Sequence, residues 1–569
     1  MVVKMSTSER LFQSVDKADK RLNKLQEYQD IALTRPQKKA SQDSENSQLK
    51  ESVEKVLNNR ITRRQAIGKG AAAAIGAGVV IVAGAAGYYA LTSQPAPQAV
   101  TTSAAPTTTT TAITSTTVPT TTSAGGAATV DYVIWTWGVE LVQDNVKKFM
   151  GTHPSINVKL SDIAQETYRE GLISKFTGGN SPDLMYSSTE WQTEFEFAGW
   201  VKPSEDLFPD VKKYYDLIAP GFQPGVLSRE GTIMGLLYYG DHTNFVINKN
   251  HLNQLGVTVD GSKSPSWDDV RDWALKLKQK GVNQYPMGAF LGSYGFWQTF
   301  YTFVMGQNKP IDIKGIHWLF DEDLNPVMDK NSPLFNTLRW LMDVANKDQT
   351  FQPASVNYGD PDIINNIGSG IHSIGWVPTY DFGPIQDPSN KEGGNIQVVL
   401  NPGTGIASAW ERPYNIGSTL AKKDKSVQDA TWKLQVFFGG KTDTNGEPVN
   451  DPAKEGTFFV NKRIMTNVAV PTPYPALLDD PEYKAAIAKI MDPDIYLAQL
   501  NKAVVHQVDG EQIPWWGEWS GGWNLGFART EINGLILGQK GLADSDIMAV
   551  LDNISSRWKD YKSQFQGKY

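Results

Sequence analysis

A long stretch of the chain, residues 70–130, contains no charged side chain, although 20% of all residues are charged. Its first part, residues 71–91, is apolar and matches the roughly 20 residues that a helix needs to cross a bilayer. The remainder is rich in Thr, Ser, Ala and Pro, a composition that cannot build a hydrophobic core. The sequence therefore predicts four parts: a cytoplasmic N-terminal segment (1–70), a transmembrane helix (71–91), a Thr/Ser/Pro-rich stalk (92–129) and a folded domain (130–569).

The distribution of charge predicts the orientation of this helix. Residues 1–70 carry 15 Lys and Arg against 9 Asp and Glu, whereas the rest of the chain carries 39 against 52. Basic residues beside a membrane span stay on the cytoplasmic side. We therefore expect a single-pass protein of the cell membrane, with the large acidic domain on the extracellular side.

A pair of arginines precedes the apolar segment. Arg63 and Arg64, followed by Lys69, resemble a twin-arginine export signal, with Ala66 where that signal usually has Phe. An ordinary signal anchor with a basic flank is the alternative. No cysteine is present to carry a lipid anchor, and the sequence favours a retained membrane helix.

Composition also excludes several classes of function. Without Cys, thiolate catalysis and Cys-held metal centres are ruled out, and the six His residues lack the spacing of a metal site. No phosphate-binding glycine loop, dinucleotide fingerprint or serine-hydrolase elbow is found. The acidic domain does not suit nucleic acid, whose phosphates require a basic surface. We expect no cofactor, no metal and no catalytic residue.

Tryptophan is concentrated in the folded domain. All 17 Trp residues lie beyond Val130. Many are expected to pack in a core, but indole rings also stack on the apolar face of a pyranose, while carboxylates and amides bind its hydroxyls. The aromatic content therefore favours a sugar ligand, and the number of rings favours an oligosaccharide.

Apolar periodicity predicts alternating strands and helices, which is typical of an α/β fold with mainly parallel sheets. The expected strands and helices of the first part are 129–137, 140–150, 156–160, 167–176 and 182–186. Further along, residues 243–247 read as a strand and residues 266–280 as a helix. The Ser-Trp-Asp-Asp sequence that opens this helix is a capping signal.

Several blocks, in order, resemble the family 1 extracellular solute-binding proteins of ABC importers, the group that includes maltose-binding protein. They cover nearly all of residues 130–569, and one departure is Tyr238-Tyr239-Gly240, where the family usually has Pro. The matching blocks are VIWTW (133–137), FMGTHPSINV (149–158), GGNSPDLMY (178–186), AGWVKPSEDL (198–207), GTIMGLLYYGDHTNFVINKNHLNQL (231–255), 266–277, GSGIHSIGWVPTY (368–380) and 402–423.

The resemblance implies a two-lobed, periplasmic-binding-protein-like α/β fold with a hinge. The ligand lies between the lobes, and closure around it creates the surface that the membrane permease recognises. Crossings between the lobes are expected near 243–248, near 398–404 and within 440–475. The predicted lobes are about 130–245 plus 402–470 for the first, and about 246–401 plus 471–569 for the second.

Candidate ligand-binding residues come from loops expected to face this cleft. Open α/β sheets bind ligands at the carboxyl ends of their strands, and a glycine-rich loop with four Trp is an unusual place for regular packing. The candidates are Trp135, Trp137, Glu190, Trp191, Tyr239, Asp241, Asn244, Trp376, Trp410, Glu411, Trp515, Trp516, Glu518, Trp519 and Trp523.

Three functions remain open at this stage. The first is capture of a sugar, favouring an oligosaccharide, by a monomer that delivers it to an ABC permease. The second is the same fold binding a polyamine or a peptide. The third is a surface glycoside hydrolase, for which Glu190 and Glu518 would form the carboxylate pair.

Overall fold

The computed structural model describes residues 128–292, 295–307, 318–321, 323–506, 513, 515–520 and 526–565. The predicted N-terminal segment, twin-arginine-like motif and transmembrane helix, with almost all of the stalk, lie outside these residues. Within the described ranges, no helix combines the length and apolarity needed to cross a membrane.

Ten strands are described, and all ten belong to one continuous sheet. They are β1 (Ala128–Trp135), β2 (Ile156–Ile163), β3 (Leu184–Tyr186), β4 (Val201–Lys202), β5 (Leu237–Asn248), β6 (Met287–Ala289), β7 (Ile374–Pro378), β8 (Ile396–Val399), β9 (Ser408–Gly417) and β10 (Val504–Val505).

The described α-helices surround this sheet. They are α1 (Val139–Thr152), α2 (Tyr168–Thr177), α3 (Thr189–Phe197), α4 (Lys212–Tyr215), α5 (Lys249–Asn253), α6 (Trp267–Gln279), α7 (Gly295–Gln307), α8 (Pro333–Met342), α9 (Asp360–Gly368), α10 (Phe382–Ile385), α11 (Lys425–Gly439), α12 (Phe459–Val468), α13 (Pro481–Ala488), α14 (Pro493–Leu500), α15 (Trp516–Ser520), α16 (Phe527–Ile536) and α17 (Asp544–Phe565). Short 3₁₀ turns connect several of them, including Thr379–Asp381 between β7 and α10.

Local sequence explains where these elements begin. Helix α6 starts after a complete capping box, in which the Ser266 side chain accepts from the Asp269 amide and the Asp269 carboxylate accepts from the Ser266 amide. Helix α1 buries Val142, Val146 and Phe149, which share one face at helical spacing. Both helices lie close to their predicted positions.

The strand order is β2-β1-β3-β9-β5-β7-β6. Strand β1 is parallel to β2 and β3, and β6 is parallel to β7. At the centre, however, β9 is antiparallel to both β3 and β5, and β5 is antiparallel to β7 and β8. The prediction of mainly parallel sheets is therefore wrong for the centre, because two long strands cross there in opposite directions.

Two large hydrophobic cores lie on either side of these crossing strands. The first-lobe core draws its side chains from between Val130 and Tyr238 and between Tyr414 and Val470. The second-lobe core draws them from between Phe245 and Val399 and between Ile513 and Phe565. A third cluster contains residues from both lobes and from β5, and it joins them. The two-lobed α/β fold is thus present.

The crossings set the geometry of the site. Strand β5 pairs with β9 as far as His242 and with β7 from Thr243 onwards. The second crossing is β9 itself, which begins beyond the expected 398–404, because residues 396–399 form β8 in the second lobe. A third segment runs beside β5, where the Gly240 amide donates to the Pro471 carbonyl.

Candidate functional site

A cavity of about 320 Å³ lies where the crossing strands meet the two lobes. The first lobe supplies the end of β1 and the turn after β2, and the second lobe supplies α7, α9 and the turn after β7. The lining residues are Trp135, Trp137, Gln165, Tyr238, Tyr239, Gln298, Asp360, Tyr380, Asp381, Pro384, Arg412, Val468 and Val470.

Aromatic rings form the first-lobe wall. Trp135 is almost fully buried, and the rings of Tyr168, Tyr186 and Tyr238 surround it edge-on at centroid distances of 5.4, 5.0 and 5.7 Å. Such edge-to-face contacts suit the quadrupoles of aromatic rings and hold the indole in one orientation. The first-lobe wall is therefore preorganised, because its rings pack against one another without a ligand.

Trp137 extends this wall outward. Its side chain is 40% exposed, which is unusual for so large an apolar group in the described part of the chain. Gly138, with φ of 65°, follows immediately and turns the chain from β1 into α1. A residue with a β-carbon is strained at this φ, so glycine suits the turn that leaves Trp137 at the carboxyl edge of the sheet.

A carboxylate faces the cavity from the second-lobe wall. Asp381 is only 2% exposed, and its Oδ2 has no hydrogen-bond partner among the described residues. Burial, together with the negative charges of Asp360 and Asp241, raises the pKa of Asp381 well above its usual range. A buried carboxyl oxygen without a partner is costly, and a ligand that donates to it would remove that cost.

Asp241 lies behind this wall on β5. Its Oδ1 accepts from the His242 amide at 2.7 Å, and its Oδ2 accepts from the Tyr380 amide at 3.2 Å. The second contact fixes the turn that carries Asp381. Burial raises the pKa of Asp241 to about 7, although hydrogen bonds from Thr379 and neighbouring amides oppose the shift.

The crossing strands supply one cation and an aromatic pair. Arg412, on β9, is buried in the lining and donates from Nη1 to the Glu411 carbonyl at 3.0 Å. Burial raises the pKa of Tyr239, and the positive charge of Arg412 opposes that shift. The neighbouring ring of Tyr238 stacks on Tyr186 with centroids 4.1 Å apart.

An amide also faces the cavity. Gln298, on α7, is nearly fully buried, and its Oε1 has no hydrogen-bond partner within the described ranges. The cavity thus combines flat apolar rings with carboxylates, an amide and a guanidinium. Ligand pockets generally join an apolar lining to a few convergent polar groups in this way.

The family model of bacterial extracellular solute-binding proteins matches residues 135–441, which is more than half of the chain. The chain belongs to this family. Among curated proteins, a lipoprotein of Streptomyces antibioticus described as uncharacterized is 20% identical over 144 residues. That match covers 25% of this chain and 31% of the lipoprotein.

Solved structures share the fold of this solute-binding protein. The sugar-binding protein MalE of Xanthomonas citri has a TM-score of 0.60 and 17% identity, covering 77% of this chain and 99% of its own. Maltose-bound MalE3 of T. maritima has a TM-score of 0.58 and 17% sequence identity, and the match covers 76% of this chain and 100% of MalE3. An ABC substrate-binding protein of Listeria monocytogenes in complex with cycloalternan has a TM-score of 0.57 and 15% sequence identity. That match covers 76% of this chain and 99% of the Listeria protein. At these identities the likeness establishes the fold.

Three of the sequence-derived candidates line the cavity of the solute-binding protein: Trp135, Trp137 and Tyr239. Two others, with Asp241, lie just behind it. Asn244 donates from Nδ2 to Thr379 Oγ1 at 3.0 Å, and the Glu411 carboxylate accepts a hydrogen bond from the Thr189 hydroxyl. These residues hold the elements that form the walls.

Three other candidates are buried away from the cavity lining. Trp191 lies in the first-lobe core against Tyr168. Trp376 is fully buried in the second-lobe core, stacked on Trp267 with centroids 6.0 Å apart. Trp410 is also buried. None of these three lines the cavity, so we assign them to packing.

The tryptophan-rich loop requires the largest correction. Trp515, Trp516 and Trp519 are essentially inaccessible and belong to the second-lobe core. The Nε1 of Trp519 donates to the Ile554 carbonyl at 2.9 Å, which fastens the loop to α17. These indoles cover the long C-terminal helix rather than a ligand. Trp523 and the side chains of Glu190 and Glu518 lie outside the described residues.

Sequence reasoning missed most of the second-lobe wall. Tyr380 and Asp381 follow β7 directly, so the strand-end rule that identified Trp137 would also have found them. Asp360 begins a helix and carried no comparable signal. Arg412 was missed because the second crossing was placed too early in the chain.

Proposed function

We propose that this protein captures a sugar between its two lobes and delivers it to an ABC permease. The observation that carries this proposal is the pairing of an exposed indole, Trp137, with a buried carboxylate, Asp381, in one cavity. The apolar face of a pyranose can stack on the indole, and its hydroxyl groups can form hydrogen bonds with the carboxylate.

The structural relatives support a sugar ligand. The titles of two of them name maltose and cycloalternan as the bound molecules, and a third is named a sugar-binding protein. The cavity is at the lower end of ordinary ligand sites, which run from roughly 300 to 1,000 Å³. A longer oligosaccharide would extend outward past Trp137, whose indole is the exposed part of the wall.

Delivery requires attachment to the membrane and a change of shape. We propose that residues 71–91 anchor the protein as a single-pass helix, with residues 92–129 as a stalk and the two lobes outside the cell. The paired Arg63 and Arg64 would direct export of the domain. Closure of the lobes around the sugar would then present a monomer to its permease. No catalytic step or cofactor is part of this proposal.

The direct test is thermal melting and intrinsic fluorescence of the full-length protein in detergent, against a panel of mono-, di- and oligosaccharides. A ligand that binds the native state raises its melting temperature by mass action, and the rise grows with ligand concentration. With at least one sugar we expect a rise in melting temperature that grows with concentration, a saturable change in fluorescence and no hydrolysis product. Polyamines and peptides serve as the competing panel, and a response confined to them would overturn the sugar assignment.

A further inference from the structure

Two buried side chains of the cavity lining present hydrogen-bond acceptors that have no partner among the described residues. Asp381 and Gln298 are both buried in the lining, and each has an oxygen without a hydrogen-bond partner in the described part of the chain. Both unpartnered atoms are acceptors. A bound molecule that satisfies them must therefore donate hydrogen bonds at these positions.

Carboxyl groups outnumber basic groups around Asp381. Asp360 lines the same wall, and Asp241 acts on Asp381 from β5. Arg412 is the cation of the lining. Several carboxylates in a water-poor site disfavour one another's ionised form unless a cation joins them.

We propose that the cavity selects a sugar carrying a protonated amine, which pairs with Asp381 and donates to the unpartnered acceptors of the lining. This inference rests on the proposed function, because it names the class of sugar that the same site takes. An ammonium group has three donors and no acceptor, so it suits the two unpartnered acceptors better than a hydroxyl group does.

A metal ion is a weaker candidate for the same position. In the ranges that the structure describes, no group of three or more metal-ligating side chains converges. A neutral sugar is the remaining competitor, because a protonated Asp381 donates to a hydroxyl group. The two possibilities differ in how much affinity is lost when the amine or the carboxylate is removed.

The experiment is calorimetric titration of the full-length protein with matched disaccharides. A β-1,4-linked glucosamine disaccharide provides the amine, its N-acetylated form removes the charge, and cellobiose replaces the amine by a hydroxyl. We expect the amine form to bind at least about tenfold more tightly than either partner, the scale of one added hydrogen bond to a charged group.

Two variants connect this preference to the wall. Asp381→Asn keeps the shape but removes the charge, so we expect the amine preference to fall to about onefold while cellobiose still binds. Asp360→Asn should reduce the preference in part, and it serves as a second test. Asp552→Asn, at an exposed position on α17, changes the net charge equally and should leave the preference intact.

The outcomes separate the two proposals. Equal binding of all three disaccharides overturns the amine preference and leaves sugar capture standing. A preference that persists in Asp381→Asn overturns the role of that carboxylate. If no sugar of either kind binds while the protein remains folded, the proposed function fails, and this inference fails with it.

Discussion

Asp241 lies on the crossing strand β5, where both of its carboxylate oxygens accept backbone hydrogen bonds. Burial raises its pKa from the usual range of a carboxyl group to about 7. Between about pH 4 and pH 7 the folded state therefore binds more protons than the unfolded state, so this residue lowers stability as the pH rises. Above about pH 7 the stability that Asp241 contributes at low pH is fully lost.

Two histidines oppose this trend. Burial lowers the pKa of His242 and of His372 to about 4, so both are neutral in the folded state where the unfolded state is protonated. Their contribution raises stability as the pH climbs from about 4 to 6.5. The stability of the wild-type protein consequently changes less with pH than the carboxylate alone, or the two histidines alone, would make it change.

The Asp241→Asn variant removes this carboxylate, together with the charge that helps to raise the pKa of Asp381. Its stability relative to wild type should improve from pH 4 to pH 7 by as much as about 4 kcal/mol, the upper limit for a carboxyl group whose pKa burial raises to about 7. Loss of one backbone hydrogen bond adds a cost that does not depend on pH. Urea unfolding at both pH values measures the difference, and a difference independent of pH would contradict the account.

Trp137 is the other residue whose role is open to a direct test. Trp137→Ala should weaken sugar binding by about tenfold, since an aromatic stacking contact and its buried area are lost. Stability should hardly change, because the side chain is 40% exposed.

Leu542→Ala is the matched control for Trp137→Ala. Leu542 is 49% exposed and does not line the cavity, so its loss should leave binding unchanged. Both variants are titrated with the sugar that gives the largest thermal shift. Equal affinity of Trp137→Ala and wild type would remove this indole from the site.

Position along a strand identified two of the residues that line the cavity. Trp135 and Trp137 end a strand at the carboxyl edge of the sheet, and this edge can be read from the sequence. Trp515, Trp516 and Trp519 could not be placed in the same way. These indoles pack against α17. A contact between two separate segments of the chain leaves no local pattern in the sequence of either segment.

At the scale of elements, the crossing strands β5 and β9 hold the two lobes together. Gly235 precedes β5, and a β-carbon there would overlap the Tyr414 carbonyl oxygen on β9. The Tyr414 carbonyl belongs to the backbone of β9, so it cannot shift away from an added β-carbon as the end of a flexible side chain can. We expect Gly235→Ala to destabilise the protein by about 2 kcal/mol or more, as overpacking of a close contact does.

Gly151→Ala provides the control for this substitution. Gly151 lies near the end of α1, where a β-carbon would meet no atom within 4 Å. Alanine there should be neutral or stabilising by a few tenths to about 1 kcal/mol, because it favours the helix. Urea unfolding of both variants gives the comparison, and equal effects would contradict the close approach of the strands.

Helices were easier to predict than the direction of strands. The capping residue Ser266 and the apolar spacing of α1 are local, so both helices were found near their observed bounds. Strand direction at the centre of the sheet depends on where the chain crosses between lobes. That information is distributed over residues far apart in sequence, and the antiparallel pairing of β5 with β9 was missed.

At the scale of the whole molecule, each lobe has its own hydrophobic core, and the cavity takes residues from both. Hinge closure is an established way for two such lobes to enclose a ligand. The family resemblance predicted this division from block order alone. Which residues would face each other across the cleft depends on packing, and so the second-lobe wall emerged only from the structure.

The central claim is that a sugar is held between the lobes and draws them together. The chain contains no cysteine, so two introduced cysteines carry spin labels at chosen sites. Lys148→Cys on α1 and Lys276→Cys on α6 report the distance between lobes, and Lys148→Cys with Lys159→Cys on β2 reports the distance within one. We expect sugar to shorten the first distance and leave the second unchanged; saturable sugar binding with no change in the first distance would contradict capture by closure.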